Sequence, residues 1–133
     1  KVNAVEINPV TYQALINNIK VYGYKNVNAI LSSYNNEMND IKQDVVFLDP
    51  PWGGSAYKSQ KCIMLRLGEI PIYNVINNIK QTPKLVMLKT PYNTNIALIK
   101  RCLKRRKIVV KKYRGCKKGK YYIKYIVLFI TPV

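Results

Sequence analysis

The chain contains no histidine. Imidazole acid–base catalysis and Ser-His or Cys-His nucleophilic dyads are therefore excluded within it. Acids are scarce as well: six Asp and Glu stand against 23 Lys and Arg, a formal charge of +17. Cysteine appears three times, at Cys62, Cys102 and Cys116, without a C-x-x-C spacing. Neither a zinc site nor a disulfide framework follows, no metal is called for, and a reduced intracellular compartment fits best. No apolar run approaches the roughly 20 residues of a membrane span, and no signal peptide is visible. The glycines stand at 23, 53, 54, 68, 115 and 119. None follows an N-terminal strand, and no G-x-G-x-x-G or equivalent exists. The first residue is Lys1, and the numbering is expected to begin inside a longer protein.

What is present points to a single domain, since 133 residues suffice for one core. The positive field favours a polyanion, most simply nucleic acid. Lys, Asn, Ile and Tyr, all with A/T-rich codons, supply 59 residues, so part of the charge reflects composition. The distribution is more informative. Thirteen basic residues fall between Lys100 and Lys124, and no acid follows Glu69. With Tyr113 and Tyr121 interleaved, this stretch reads as an RNA-backbone patch; a solvated basic face is the plain alternative.

Along the chain, Lys1–Glu6 reads as a strand with Val2, Ala4 and Val5 as its buried positions. Asn8 and Pro9 start a helix on which Tyr12, Leu15, Ile16, Ile19 and Tyr22 recur, and Gly23 stops it. Asn26–Ser33 reads as a second strand near a sheet edge, and 35–42 as a short helical turn. Asp44–Leu48 is a buried strand. Ser55–Leu67 lacks a period and reads as a substrate-side lid whose Tyr57, Lys58, Lys61 and Arg66 could meet phosphates, or as an ordinary solvated loop. Ile72, Val75, Ile76 and Ile79 mark a helix, and Lys84–Leu88 another strand. Asn93 or Thr94 caps a third helix with Ile96, Ile99 and Leu103 inward. Lys107–Lys111 and Tyr121–Ile130 close the chain as strands, with Tyr113–Lys120 as the hairpin loop.

The densest signal is Asp49-Pro50-Pro51-Trp52-Gly53-Gly54, directly behind the Asp44–Leu48 strand. Ligands of open α/β sheets bind outside the carboxyl ends of strands. Two consecutive prolines fix the backbone and remove its donors. An ionised Asp49 only accepts hydrogen bonds, and beside a fixed carbonyl it suits a group with two N–H bonds, such as the exocyclic amine of a base. Trp52 offers a stacking face, and Gly53 and Gly54 permit positive φ and close backbone approach.

A strand followed by Asp/Asn/Ser-Pro-Pro-aromatic resembles the catalytic loop of S-adenosylmethionine-dependent methyltransferases acting on exocyclic amines. The Trp-Gly-Gly continuation resembles, more narrowly, the RNA cap guanine-N2 methyltransferases, the trimethylguanosine synthase family. The resemblance implies an α/β fold: a Rossmann-like class I methyltransferase sheet, mostly parallel, closed by a C-terminal antiparallel hairpin. The whole of 1–133 would be one catalytic domain, without the family's first strand and glycine-rich loop, which leaves an open slot beside the Asp44–Leu48 strand. The implied cofactor is S-adenosylmethionine and the implied partner capped RNA. Asp49, Pro50 and Pro51 would be catalytic. Trp52, Gly53, Tyr57, Lys58 and Asn93 would bind substrate, Asn93 by alignment of Pro91-Tyr92-Asn93 with a Pro-x-Asn turn. Glu6, Ser33, Tyr34 and Asp49 would bind cofactor, Glu6 through both ribose hydroxyls; an acid favouring the helix dipole is the other reading of Glu6. Ser33-Tyr34 stand where the family usually has an acid for the adenine amine. Two other readings stay open: an amino-methyltransferase for internal bases of RNA or DNA, and a basic RNA-binding subunit that keeps the fold without catalysis.

Overall fold

The computed structural model describes residues 1–34 and 41–133; the reading of 35–42 as a helical turn falls largely outside them. The chain divides into two compact units, Lys1–Met38 and Asn39–Val133.

The first unit is a βαβ arrangement of β1 (Val2–Glu6), α1 (Pro9–Val21) and β2 (Val27–Leu31). The strands pair in parallel, Val2 opposite Val27 and Glu6 opposite Leu31. Asn8 starts the helix as the sequence predicts. Its Oδ1 accepts from the N–H groups of Val10 (2.9 Å) and Thr11 (3.1 Å), and Pro9 fills a position where a missing N–H costs nothing. At the other end Gly23 takes φ 67°. Its N–H donates to the Lys20 carbonyl and that of Tyr24 to the Ile19 carbonyl, which together close the helix with a left-handed residue. Burial departs from expectation. Tyr12, Leu15 and Ile19 are half-buried, Ile16 and Tyr22 exposed, and no residue of α1 is fully buried. Val2 is exposed too, and Ala4, Val5 and Glu6 are partly covered. Two strands and one helix cannot enclose a core of their own.

The second unit holds β3 (Val45–Leu48), a 3₁₀ helix (Gly54–Ser59), the short strands β4 (Arg66–Leu67) and β5 (Ile70–Pro71), α2 (Ile72–Asn77), β6 (Leu85–Thr90), α3 (Ile96–Cys102), β7 (Arg106–Lys117) and β8 (Lys120–Pro132). The main sheet runs β3-β6-β8-β7. β3 and β6 are parallel, with Leu48 opposite Leu88; β8 is antiparallel to both β6 and β7. Parallel pairs closed by an antiparallel hairpin give the expected α/β class. Every second residue of β6 is buried, and Val86, Leu88, Leu128 and Ile130 form the centre of the core. Ile72, Val75, Ile76 and Ile79 from α2 and its end, and Ile99 and Leu103 from α3 and its end, pack into the same core. Among the described residues β3 pairs on one side only, as the expected open slot requires; the expectation of a buried strand is corrected, since Val46 and Leu48 are buried but Val45 and Phe47, on the opposite face, are exposed.

Three local readings are corrected. The 55–67 connection is not a free lid: it opens as the 3₁₀ helix, and its Ile63 and Leu65 are buried. Ile63 bridges to Thr94 in parallel, donating to the Asn93 carbonyl (2.9 Å) and accepting from Asn95 N–H (3.0 Å). The third helix is capped by Asn95, whose Oδ1 accepts from Leu98 N–H at 3.0 Å, not by Asn93 or Thr94. The last hairpin is longer than its apolar runs. Pairing continues to Lys117 opposite Lys120, so the expected eight-residue loop is a two-residue turn, Lys118-Gly119. Lysine and tyrosine stems on an exposed ribbon sustain a ladder that an apolar-run reading cuts short.

Candidate active site

Strand β3 ends at Leu48, and the next residues turn outward. Asp49 and Pro51 are exposed, while Pro50 is buried. Gly53 and Gly54 follow at φ 88° and 64°, and a Cβ added at either would meet nothing within 4 Å. These glycines answer to backbone handedness, not to crowding. Together they swing the chain into the 3₁₀ helix that carries Tyr57 and Lys58.

Asp49 is held from β6. Its Oδ2 accepts from Lys89 Nζ at 2.7 Å, with side chains 40% and 31% exposed respectively. The same ammonium lies 5.3 Å from the ring centre of Trp52 and 5.6 Å from that of Tyr125. Carboxylate, indole and phenol thus face one point, where a cation carrying N–H donors sits. Neither Lys89 nor Tyr125 is among the sequence-predicted site residues. A signal for Lys89 exists, however. Asp44–Asp49 and Lys84–Lys89 are two apolar runs flanked by opposite charges, and the β3–β6 register matches both ends. Lys84 Nζ lies 2.9 Å from Asp44. Its hydrogen bond and charge lower the Asp44 carboxyl below the ordinary range and raise the Lys84 ammonium. That outer pair is solvent-exposed and contributes little to stability.

Trp52 is half-buried, with its indole N–H buried and lacking a partner among the described residues. The edge of its ring meets Tyr57 at 5.5 Å and 86°, and Tyr57 in turn meets Tyr92 at 6.3 Å. Asn93 holds this arrangement. Its Nδ2 donates to the carbonyls of Tyr57 and Gln60, both at 2.8 Å, and the Tyr92 hydroxyl donates to the Lys58 carbonyl at 3.2 Å. Asn93 therefore pins the segment bearing Tyr57 and Lys58. Asn93→Ala is expected to cost about 1–3 kcal/mol and to speed amide exchange at Gln60, whose N–H donates to the Tyr57 carbonyl; hydrogen exchange followed by NMR checks it.

In the first unit Glu6 ends β1. Its Oε1 accepts from Asn8 N–H at 2.7 Å, which serves the helix start, and Oε2 accepts no hydrogen bond among the described residues. Ser33 is exposed and Tyr34 half-buried. A half-exposed carboxylate at a strand's carboxyl end, with one oxygen open, suits a pair of vicinal hydroxyls. The residues present thus fit the ribose of an adenosyl cofactor. Among the described residues no three His, Cys, Asp or Glu gather as a metal site, no helix is long and apolar enough to cross a membrane, and the cysteines are free thiols.

The RNA cap guanine-N2 methyltransferase family matches residues 1–132. A protein of Acanthamoeba polyphaga mimivirus, L320, is 41% identical over 101 residues, covering 69% of this chain and 38% of its own length. The chain thus spans well under half of that curated relative. Among solved structures, the precorrin-6y C5,15-methyltransferase of Geobacter metallireducens is similar with TM-score 0.61 and 15% identity, over 98% of this chain and 67% of that one. M. jannaschii TYW2 in complex with AdoMet is similar with TM-score 0.53 and 16% identity, over 98% of this chain and 57% of that one. At such identities the structures establish a Rossmann-like class I methyltransferase fold.

Proposed function

The chain belongs to the RNA cap guanine-N2 methyltransferase family, and we propose that it transfers a methyl group from S-adenosylmethionine to the exocyclic N2 amine of a 7-methylguanosine RNA cap. Both units are read as parts of one catalytic domain within the whole protein. One observation carries the cap reading: the Lys89 ammonium, an N–H-donating cation, already rests on the Asp49 carboxylate and over the Trp52 ring. A 7-methylguanine base combines the same two properties, a positive charge on the ring system and an NH2 substituent beside it.

S-adenosylmethionine, when bound, would supply the electrophilic methyl group, with Glu6 on its ribose and Ser33 and Tyr34 as its further contacts. The chain's own residues do the rest. An aromatic amine is a poor nucleophile because its lone pair is delocalised into the ring. Asp49 accepts one of its N–H bonds and the Pro50 carbonyl the other, which favours a pyramidal nitrogen with its lone pair free. Pro51 keeps that carbonyl fixed, so the gain comes from positioning and preorganised electrostatics. Trp52 stacks on the base, Gly53 lets the backbone approach it, and Asn93 holds Tyr57 and Lys58 alongside. Entry of the base displaces the Lys89 ammonium from the indole. The compartment we propose is intracellular and reducing, in keeping with three unpaired thiols.

Competition tests the substrate assignment. Free 7-methylguanosine diphosphate should inhibit methylation of capped RNA, while guanosine diphosphate, lacking the cationic ring, should inhibit at least about tenfold less. Equal inhibition by both, or by neither, overturns the cap reading; methylation of uncapped RNA at the same rate would favour an internal base.

A further inference from the structure

A second feature lies beside the 3₁₀ helix. Lys58, Lys117, Lys118, Lys120 and Tyr122 line one cleft of about 550 Å³, and among the described residues no carboxylate lines it. Both walls are held in place. On one side Tyr92 and Asn93 fasten the backbone of Tyr57 and Lys58. On the other, the β7–β8 ribbon ends in the two-residue turn at Lys118-Gly119.

Two details of that ribbon make it more than a surface scatter of lysines. Lys118 has φ 50°, the one non-glycine residue at positive φ among those described. Hairpin turns of this left-handed kind favour Asn, Asp or Gly there, because a Cβ is disfavoured. A long cationic side chain is kept at a place where the backbone would prefer another residue, and such outliers cluster at binding sites. Tyr122 is the other detail. It stands opposite Gly115 across the ribbon, and a Cβ on Gly115 would come within 2.8 Å of the Tyr122 ring. The glycine leaves the ring room to lie across the partner strand, fixed in direction yet 49% exposed. A fixed aromatic among cations that track a backbone is the construction that binds single-stranded nucleic acid. Of the tyrosines the sequence singles out, Tyr113 stacks on Tyr125 at 4.8 Å, and neither it nor Tyr121 lines the cleft.

We propose that this cleft binds phosphates of the single-stranded RNA that continues beyond the base held at Trp52, with one base stacked on Tyr122. This rests on the capped-RNA reading above and extends it. The two places are neighbours along the chain: Trp52 touches Tyr57, and the next residue, Lys58, lines the cleft.

The test uses the full chain with Lys117→Gln, Lys118→Gln and Lys120→Gln combined, changes on an exposed turn that leave the core untouched. Affinities are measured for a short capped single-stranded RNA, the same RNA uncapped, and 7-methylguanosine diphosphate. Both RNAs should bind about 10–100-fold more weakly at 0.1 M salt, and log affinity should fall with log salt less steeply by about 2. Binding of 7-methylguanosine diphosphate should not change. Unchanged RNA affinity and salt slope would overturn the proposal, as would equal weakening of the diphosphate, which would give the cleft to the cap's own phosphates. If the diphosphate fails to bind even the unaltered chain while uncapped RNA still loses affinity in the variant, the cap reading fails and the cleft stands. Lys118→Gly adds a separate readout. It should raise Tm by about 2–6 °C by relieving the backbone and lower RNA affinity at the same time; a gain in Tm without loss of affinity would count against Lys118 as a ligand.

Discussion

Asp49→Ala is expected to lower kcat for methyl transfer to capped RNA by about 10²–10³-fold, in the range seen when one preorganised group facing the reacting atoms is removed. The effect should fall on turnover, because the proposed role sets the carboxylate against the amine where the nitrogen would change shape. Affinity for S-adenosylhomocysteine should change little, since the proposed ribose contact is Glu6. Asp49→Asn keeps one acceptor oxygen and should retain more activity than Asp49→Ala. It also weakens the hold on Lys89, now attached at 2.7 Å, so a part of the loss should persist. Radiolabelled cofactor and capped RNA in steady-state reactions give kcat, single-turnover reactions give the rate of the chemical step, and calorimetry gives the cofactor affinity. Undiminished turnover in Asp49→Ala would remove the carboxylate from the mechanism.

Trp52→Ala should act on the other axis. Stacking on an aromatic is worth about 1–3 kcal/mol per base, and a cationic base adds about 0.5–2 kcal/mol. KM for capped RNA should therefore rise at least about 10-fold and up to a few thousand-fold, with kcat at saturating substrate falling much less. Trp52→Phe should lie between, because a smaller ring keeps part of the face. The substitution also removes the edge contact to Tyr57, but Asn93 holds the Tyr57 carbonyl independently, so the 3₁₀ segment should stay in place. A thermal melt of the variant checks this. If KM is unmoved and kcat falls instead, the indole orients the reacting group and does not grip the base.

The features legible in the sequence are those that a few neighbouring residues decide. Asn8-Pro9 starts α1 because a side-chain acceptor and a missing donor sit in consecutive positions. The apolar runs of β3 and β6 needed only a window of half a dozen residues. Lys89 and Tyr125 were hidden for the opposite reason. Lys89 reaches Asp49 across 40 positions, and the contact exists only because Leu48 stands opposite Leu88. Tyr125 depends on a second register, in which Lys89 faces Val127 and the ring two residues away comes within reach of the ammonium. Asn93 stands in sequence where either a helix cap or a Pro-x-Asn turn fits; the partners of its side chain lie over thirty residues earlier. The length of the last hairpin was missed because lysines and tyrosines carry its outer half, where apolar alternation gives no signal.

The Gly53-Gly54 pair imposes a restriction of chirality. Space is available around both positions, so volume does not decide what can stand there. An L-alanine would strain the main chain at either position, whereas its mirror image, D-alanine, would settle without cost. The loop that presents the indole is thus written for achiral residues, and natural variation among the coded amino acids has almost nowhere to go at these two sites.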